Sequence, residues 1–411
     1  MTPQPDRIRR PLDALNFFLA DVRDGLGPYL AIYLLTVQKW DEATIGIVLS
    51  VGGIAGILAQ TPMGALIDRT TAKRAVVIGG AIAITVASLG IPLAPSFLPV
   101  AALQAASGIA GAIFPPAIAA ITLGCVGPKV FAKRVGRNEA FNHAGNATSA
   151  ALAGFLAYAF GPIAVFWVMA AMAALSIGAT LSIPADAIDH EVARGLDSEV
   201  GEGHDGPEKP SGFAALLANK PLLIFAASTT LFHFANAAML PLVGQKLSLI
   251  VGKELGTSLM SACIVAAQLV MVPVAMLVGA KADVWGRKPI FATGLAVLAL
   301  RGALYTVSDA PAWLVGVQLL DGIGAGIFGA LFPLVVADLT RGTGRFNVSQ
   351  GAIATAQGFG ASLSNAIAGA IVVKASYSAA FLFLAGIAGA AFLCFTLLMP
   401  ETRPAEEPRP V

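Results

Sequence analysis

The first long apolar segment carries ionisable residues whose spacing suits proton transfer. It contains Asp21, Arg23 and Asp24, and the two aspartates, three positions apart, share one face of a helix. Two carboxylates on one face within a membrane repel each other, which favours proton uptake by one of them. We predict that Asp21 or Asp24 is a proton carrier. The alternative is that both pair with basic residues of neighbouring helices to hold the bundle together.

Two charged residues in the second half of the chain lie at matching depths of separate apolar segments. These are Arg301 and Asp321. One buried charge without the other is strongly destabilising, so the sequence predicts an ion pair between helices, with a structural role favoured. In a functional role, Asp321 faces a cavity and carries a proton, and Arg301 tunes it.

The densest polar cluster opens another apolar segment. Glu139, Asn142, His143 and Asn146 recur at spacings of three and four, which predicts one polar stripe over about two helical turns. The stripe binds substrate through hydrogen bonds, or His143 or Glu139 carries a proton. Equally, such residues simply hold neighbouring helices together.

Polar residues of several segments predict a cavity that suits a small, partly polar organic solute. In the second half, His233 and Asn236 precede Pro241, and proline in such segments is typical of broken helices near a binding site. The predicted cavity residues are Arg23, Gln104, Asn142, Asn146, His233, Asn236, Gln318 and Gln357.

Composition decides which elements must position these residues. Hydrophobic residues make up 56% of the 411 and charged residues 12%, against about 25% charged in soluble domains. Twelve windows reach the ~20 apolar residues that a spanning helix needs, and runs this long exclude barrel strands. The chain is predicted to be an all-α polytopic membrane protein with twelve transmembrane helices in two six-helix pseudo-symmetric halves. The windows lie near 11–37, 43–66, 75–94, 97–123, 138–160, 162–183, 219–247, 256–280, 288–307, 311–338, 348–373 and 377–400.

The two halves are indicated by an internal repeat. A glycine and an aspartate followed by a basic cluster occur at 64–74 and again at 279–289, and 104–114 matches 318–328 at an offset of 214. We predict an N-terminal half at 1–183, a cytoplasmic linker at 184–218, a C-terminal half at 219–400 and a cytoplasmic tail at 401–411.

The linker is acidic and rich in glycine and proline, which is typical of a flexible solvated segment. Its two histidines, His190 and His204, lack metal-ligand spacing, so no metal site is predicted. With both termini in the cytoplasm, twenty of the 26 Lys and Arg residues fall on the cytoplasmic side, as the positive-inside rule requires. A multi-pass protein of a bacterial-type inner (plasma) membrane is predicted, with both termini cytoplasmic.

Together, the twelve spans, the central linker and the two repeated loops resemble the major facilitator superfamily of secondary transporters. The resemblance implies that the loop residues gate the transporter by holding the cytoplasmic ends of the halves together in the outward-facing state. A carboxylate near a helix N-terminus is favoured by the dipole, and the glycines are expected to allow close helix approach. The alternative is that the basic residues only anchor topology. The implied gating residues are Gly64, Asp68, Arg69, Lys73, Arg74, Gly279, Asp283, Gly286, Arg287 and Lys288.

The sequence departs from the drug/proton antiporter pattern of that family. Thr71 replaces the second glycine of the first loop, and Val284 replaces a basic residue of the second. Gln104 stands where many antiporters have an intramembrane arginine, and the fifth-span motif of GP and GG pairs is absent. These differences argue against an antiporter of that type.

Sequence motifs for other chemistry are absent. The chain has no GxxxxGK[ST], HExxH or suitably placed GxSxG, so neither an ATP-driven pump nor an enzyme is predicted, and no cofactor is implied. We predict a secondary transporter that moves a small organic solute by alternating access, coupled to protons or another ion. Export is favoured over uptake by symport or facilitated diffusion, and a non-transporting receptor or scaffold is a remote alternative. It is predicted to be a monomer in the lipid bilayer that binds no nucleic acid.

Overall fold

The computed structural model describes residues 6–24, 26–194, 219–340 and 346–403, and these residues form fifteen α-helices and no strand. The first eight helices are α1 (Asp6–Asp24), α2 (Gly27–Thr36), α3 (Glu42–Arg69), α4 (Lys73–Gly90), α5 (Phe97–Gly111), α6 (Phe114–Val126), α7 (Pro128–Phe160) and α8 (Ala164–Ser182). The remaining seven are α9 (Lys220–Ala237), α10 (Met239–Val251), α11 (Lys253–Trp285), α12 (Arg287–Leu304), α13 (Pro311–Leu339), α14 (Phe346–Lys374) and α15 (Tyr377–Leu398). The predicted all-helical fold is confirmed.

Three of the twelve predicted spans consist of two consecutive helices each. The pairs are α1 with α2, α5 with α6, and α9 with α10. A proline follows each break, namely Pro28, Pro115 and Pro241. Proline lacks the backbone N–H that continues a helix, but it is well accommodated in the first turn of the next one.

Charge content separates the spans into two groups. In the part of the chain that the structure describes, nine helices or helix pairs are long and apolar enough to cross a membrane. The predicted spans outside this group are α1 with α2, α7 and α12. These helices carry most of the ionisable residues predicted to function. Because charge at bilayer depth is costly, such residues usually have a functional role.

The chain divides into two compact units. The first comprises Met1–Asp205 with Gly244–Ala262, and the second comprises Gly206–Val243 with Cys263–Val411. The sequence-based division instead assigns 244–262, at the end of α10 and the start of α11, to the C-terminal half. Within the first unit, the Ser258 hydroxyl donates to the Gly154 carbonyl oxygen at 2.6 Å, and the Tyr29 and Ser261 hydroxyls are 2.8 Å apart.

Glycines allow the closest helix crossings in each unit. In the first unit, a Cβ on Gly145 of α7 would collide with the Phe17 carbonyl oxygen of α1. In the second, a Cβ on Gly322 of α13 would collide with the Ala267 carbonyl oxygen and lie 2.7 Å from the Val270 Cβ of α11. The second crossing holds the backbone next to Asp321 tightly against α11.

The start of the predicted linker is folded onto the first unit. The Asp189 backbone N–H donates to the Gly124 carbonyl oxygen at 3.1 Å, and Ile188 and Ala193 are buried. The predicted linker thus begins with a segment whose apolar side chains pack against α6, while its acidic residues Asp186, Asp189 and Glu191 are exposed. His190 is partly buried there, whereas His204 lies outside the described residues.

Candidate functional site

Arg301 of α12 forms the predicted ion pair with Asp321 of α13. The arginine side chain is only 1% exposed. Its Nη2 donates to the Asn236 Oδ1 at 2.7 Å and lies 3.1 Å from the Met239 sulfur. Residues of four helices, α9, α10, α12 and α13, therefore meet around one sealed positive charge.

Asp321 accepts a further hydrogen bond from its own helix. Gln318 Nε2 donates to the Asp321 Oδ2 at 2.9 Å, and the Tyr305 hydroxyl donates to the Gln318 Oε1. We call Asn236, Arg301, Tyr305, Gln318 and Asp321 the Arg301–Asp321 cluster. Gln318 and Tyr305 are fully buried, while the Asp321 side chain is 18% exposed. The Asp321 carboxylate is therefore partly accessible, whereas its counterion Arg301 is not. This arrangement is suited to proton exchange by the carboxylate.

Other buried polar atoms of the second unit have no hydrogen-bond partner among the described residues. Among them are the His233 Nε2 of α9, the Gln268 Oε1 of α11 and the Gln357 Nε2 of α14. The His233 ring also packs edge-on against Phe328, with the centroids 4.7 Å apart. Buried polar atoms are normally hydrogen-bonded, so these three are candidates to bind water or solute.

The structure describes the first-span candidates only in part. Asp21 is buried near the end of α1, and Arg23 is exposed. The Asp24 side chain lies outside the described residues. The prediction that two aspartates share a proton there therefore stays a prediction.

The polar stripe of α7 is buried to different degrees along its length. Asn142 is buried, His143 and Asn146 are partly buried and Glu139 is exposed, so the role of the stripe stays a prediction. Spacing predicts which residues share a face, whereas packing against α1 decides which face turns inward. The buried polar residues of the helix are Arg134, Asn138, Asn142 and Ser149.

A second charge cluster lies between α1 and the start of α7. Asp13 of α1 accepts hydrogen bonds from the Arg134 Nη2 at 2.7 Å and from the Arg137 Nε and Nη2 at 2.8 and 2.7 Å. The Arg134 Nε also donates to the Asn138 Oδ1 at 2.8 Å. Sequence reasoning missed Asp13. The available signal was an aspartate in the first span and two arginines, three positions apart, near the start of the fifth.

Gln104, the remaining predicted cavity residue, lies partly buried on α5 in the first unit. Its backbone forms a crossing with α3, because a Cβ on Gly52 would lie 3.1 Å from the Gln104 carbonyl oxygen. The structure thus brings Asn236 and Gln318 together with Arg301 and Asp321.

In the first repeated loop, Lys73 caps a helix. Its fully buried ammonium donates to the carbonyl oxygens of Ile67 and Thr70 at 2.8 Å each, where a cation is favoured by the α3 dipole. Arg74 Nη2 donates to the Leu181 carbonyl oxygen at 2.9 Å. Arg69 is exposed, and the Asp68 side chain lies outside the described residues.

In the second loop, Arg287 joins two helix ends. It contacts Asp283 of α11 at 2.6 Å and Asp338 of α13 at 3.0 Å. Asp283 lies in the last turn of α11 rather than at a helix N-terminus, so the ion pair and not the dipole accounts for its position. Sequence reasoning missed Asp338, whose signal was an acidic residue at the end of the tenth span.

The loop glycines differ in what they do. A Cβ on Gly64 or Gly279 would have no heavy atom within 4 Å, so the predicted close helix approach is wrong at both positions in this structure. Gly286 has a φ of 88°, in the left-handed region that favours glycine. A Cβ there would also lie 2.6 Å from the Glu401 carboxylate.

The segment after α15 binds back onto this loop. The Glu401 carboxylate accepts hydrogen bonds from the backbone N–H groups of Arg287 at 2.9 Å and Lys288 at 3.2 Å, the first residues of α12. Arg403 Nη1 donates to the Val284 carbonyl oxygen at 2.9 Å. Burial raises the pKa of Glu401, but backbone N–H donors outweigh burial and lower that pKa below its ordinary value of 4.5.

We expect the Glu401 cap to be lost in acid. A lowered pKa means that the folded state favours the carboxylate, so its stabilisation is fully present above about pH 4.5 and disappears as the pH falls through the lowered pKa. At pH 7 the free energy of unfolding of wild type should exceed that of Glu401→Gln by about 1 kcal/mol. This value allows for solvent screening of the exposed carboxylate. Melting temperatures followed from pH 7 to pH 3 should converge for the two proteins. A gap that stays constant with pH would contradict the assignment.

Comparison with known proteins agrees with this architecture. The family model of the Major Facilitator Superfamily matches residues 13–279 and 247–410. The chain is 62% identical over 398 residues to an uncharacterized MFS-type transporter found in two strains of Mycobacterium tuberculosis, a match covering 97% of this chain and 94% of that one.

Two solved structures show the same fold at low sequence identity. A variant of the nucleoside transporter NupG is 16% identical, with a TM-score of 0.78 over 95% of this chain and 100% of that one. A D-xylose-proton symporter is 13% identical, with a TM-score of 0.69 over 96% and 97%. The predicted bundle of twelve spans is thereby confirmed. The chain belongs to the major facilitator superfamily and is a transporter, not an enzyme.

Proposed function

We propose that this transporter couples the movement of a small organic solute to protons, with Asp321 as the proton-carrying group. The observation that carries the proposal is the Arg301–Asp321 cluster. Its arginine is sealed and always charged, whereas its carboxylate is partly exposed. A carboxylate with a permanent counterion and access to its surroundings has two competing partners, the guanidinium and a proton.

This competition supplies a coupling mechanism. When Asp321 is ionised, its pair with Arg301 ties α13 to α12. When it is protonated, the attraction weakens, and Arg301 keeps Asn236 and the Met239 sulfur as neighbours. A charge pair that exists in one protonation state alone biases whichever conformation contains it. Proton binding therefore shifts the conformational equilibrium that alternating access requires.

Neutral groups define the solute class. The unpartnered atoms of His233, Gln268 and Gln357 offer hydrogen bonds without adding a fixed charge, and Phe328 offers an aromatic surface beside His233. A neutral organic molecule with several hydroxyl or amide groups matches these partners. The solved structures are of a nucleoside transporter and a D-xylose-proton symporter, which supports a polar organic solute and proton coupling.

The remaining features of the proposal follow from the sequence. The excess of Lys and Arg in one set of loops supports a cytoplasmic location of both termini, and we propose a bacterial-type inner membrane as the site of the protein. We propose that it acts as a monomer, with the repeated loop residues Asp68, Arg69, Lys73 and Arg74 and their repeat partners as its gate. Export is the favoured direction.

The test is transport in liposomes that contain a pH-sensitive dye. Purified protein is reconstituted and offered nucleosides, pentoses, hexoses and polyols in turn, with and without an imposed pH gradient. We expect one solute class to move protons in wild type, and Asp321→Asn to lose this movement while solute counterflow continues. Asp21→Asn, assayed in parallel, tests the alternative carrier in the first span.

The outcomes separate the candidate functions. Protons that move against the solute indicate export by antiport, and protons that move with it indicate symport. Counterflow without proton movement in wild type would make the protein a facilitator, and unchanged coupling in Asp321→Asn would exclude Asp321 as the carrier. No flux of any of these solutes would exclude the proposed solute class.

A further inference from the structure

We propose that Tyr305 and Gln318 are positioning residues that set the pH at which Asp321 takes up a proton. This inference rests on the proposed function. Gln318 donates to the carboxylate directly, and the Tyr305 hydroxyl donates to the Gln318 amide oxygen.

The direction of this chain follows from the chemistry of its members. An ionised carboxylate only accepts hydrogen bonds, so Gln318 must turn its NH2 group towards the Asp321 Oδ2, which lies 2.9 Å away. The amide oxygen then points the other way, where the Tyr305 hydroxyl donates to it. The tyrosine therefore holds the amide in the one orientation that favours an ionised Asp321.

Both positioning residues are held by their surroundings. They are fully buried, so bulk water does not replace either hydrogen bond. Gln318 and Asp321 are three positions apart and share one face of α13. The Tyr305 ring packs on Phe381 of α15 with the centroids 4.9 Å apart. Hydrogen bonds in such a chain polarise and strengthen one another.

Protonation of Asp321 creates a conflict in this arrangement. A carboxylic acid has an O–H that needs an acceptor, but the held Gln318 amide offers a donor. The other groups near Asp321 are Arg301 of α12, which supplies positive charge, and Cys263 of α11 and Tyr305, which are titratable neighbours. Arg301 and the oriented amide therefore both oppose proton uptake, and removing the amide's orientation should make uptake easier.

The experiment is an infrared pH titration of the full-length protein in liposomes, with protons as the only ligand. The band of the protonated carboxyl group is followed, and its loss in Asp321→Asn assigns it. We expect Gln318→Leu to move the midpoint to higher pH by about one to two units, as for a hydrogen bond to a charged group. Tyr305→Phe, which keeps the ring and its packing, should move it the same way by about half a unit.

A double variant separates positioning from a general structural effect. Because Tyr305 acts through Gln318, Gln318→Leu/Tyr305→Phe should titrate like Gln318→Leu alone, a non-additive result. The matched control is Tyr33→Phe in the first unit, since Tyr33 is also buried and accepts a hydrogen bond from the Gln38 amide at 2.7 Å. It should leave the midpoint unchanged.

Each outcome bears on one of the two proposals. An unshifted midpoint in Tyr305→Phe, or fully additive shifts in the double variant, would overturn the positioning role. If Asp321→Asn removes no band and keeps proton-coupled flux, the proposed function itself fails. Loss of coupling in Asp321→Asn with no shift in either positioning variant would leave the proposed function standing and refute this inference alone.

Discussion

Asp321→Leu should destabilise the second unit by about 3–5 kcal/mol, because it leaves the charge of Arg301 buried without a counterion. Arg301 is 1% exposed. It would retain one neutral oxygen, the Asn236 Oδ1, and the Met239 sulfur, which do not compensate a full charge at bilayer depth. Thermal unfolding in detergent, followed by tryptophan fluorescence, should show a markedly lower melting temperature than wild type.

The stability of Asp321→Leu is best compared with that of a double variant that lacks both charges. Arg301→Met/Asp321→Leu replaces both charges with apolar side chains, which is often neutral or stabilising for a buried pair. We expect it to regain most of the stability lost in Asp321→Leu. Asp321→Asn should fall between the two, because its amide oxygen still accepts from Arg301. If the double variant is no more stable than Asp321→Leu, burial of the arginine charge is not the cause.

Asp13→Asn should destabilise the first unit in the same way. It removes the carboxylate shared by Arg134 and Arg137, and the Arg134 side chain is 3% exposed. We expect a loss of about 3 kcal/mol, because the buried Arg134 loses its counterion and keeps only neutral acceptors, while Arg137 turns to solvent. The same fluorescence measurement of unfolding tests this expectation.

Asp186→Asn is the matched control for Asp13→Asn. Asp186 pairs with Arg7 at 3.1 Å, but the side chains are 66% exposed for Arg7 and 73% for Asp186. Solvent screens such surface pairs, so no measurable change is expected. Equal destabilisation by the two substitutions would indicate that loss of a negative charge, rather than burial, is responsible.

Sequence-based reasoning succeeded where the bilayer imposes one-dimensional rules. Apolar length alone predicted the spans, because every backbone polar group in lipid must be satisfied within a helix. The depth of Arg301 and Asp321 along their segments predicted their pairing, because neither charge is tolerated alone in lipid. Both arguments need only positions along the chain.

Sequence reasoning was incomplete where the rotation of a helix decides the outcome. Spacing predicts that Glu139 and Asn142 share a stripe of α7, but it does not predict that Arg134 and Asn142 are buried while Glu139 is exposed. Asp13 selects that face by binding Arg134 and Arg137 across more than a hundred residues of sequence. Helical spacing specifies which residues lie together, but not the side from which a partner approaches.

The amino-acid sequence by itself determined the class of this protein, its spans, its repeat and its family resemblance, since each follows from local hydrophobicity and short motifs. Tertiary structure alone decided that Gln318 and Tyr305 extend the Arg301–Asp321 pair and that Glu401 caps α12. These contacts join helices that are distant along the chain or depend on helix rotation. Side-chain packing between helices determines these contacts and the helix rotations. No local sequence pattern encodes that packing.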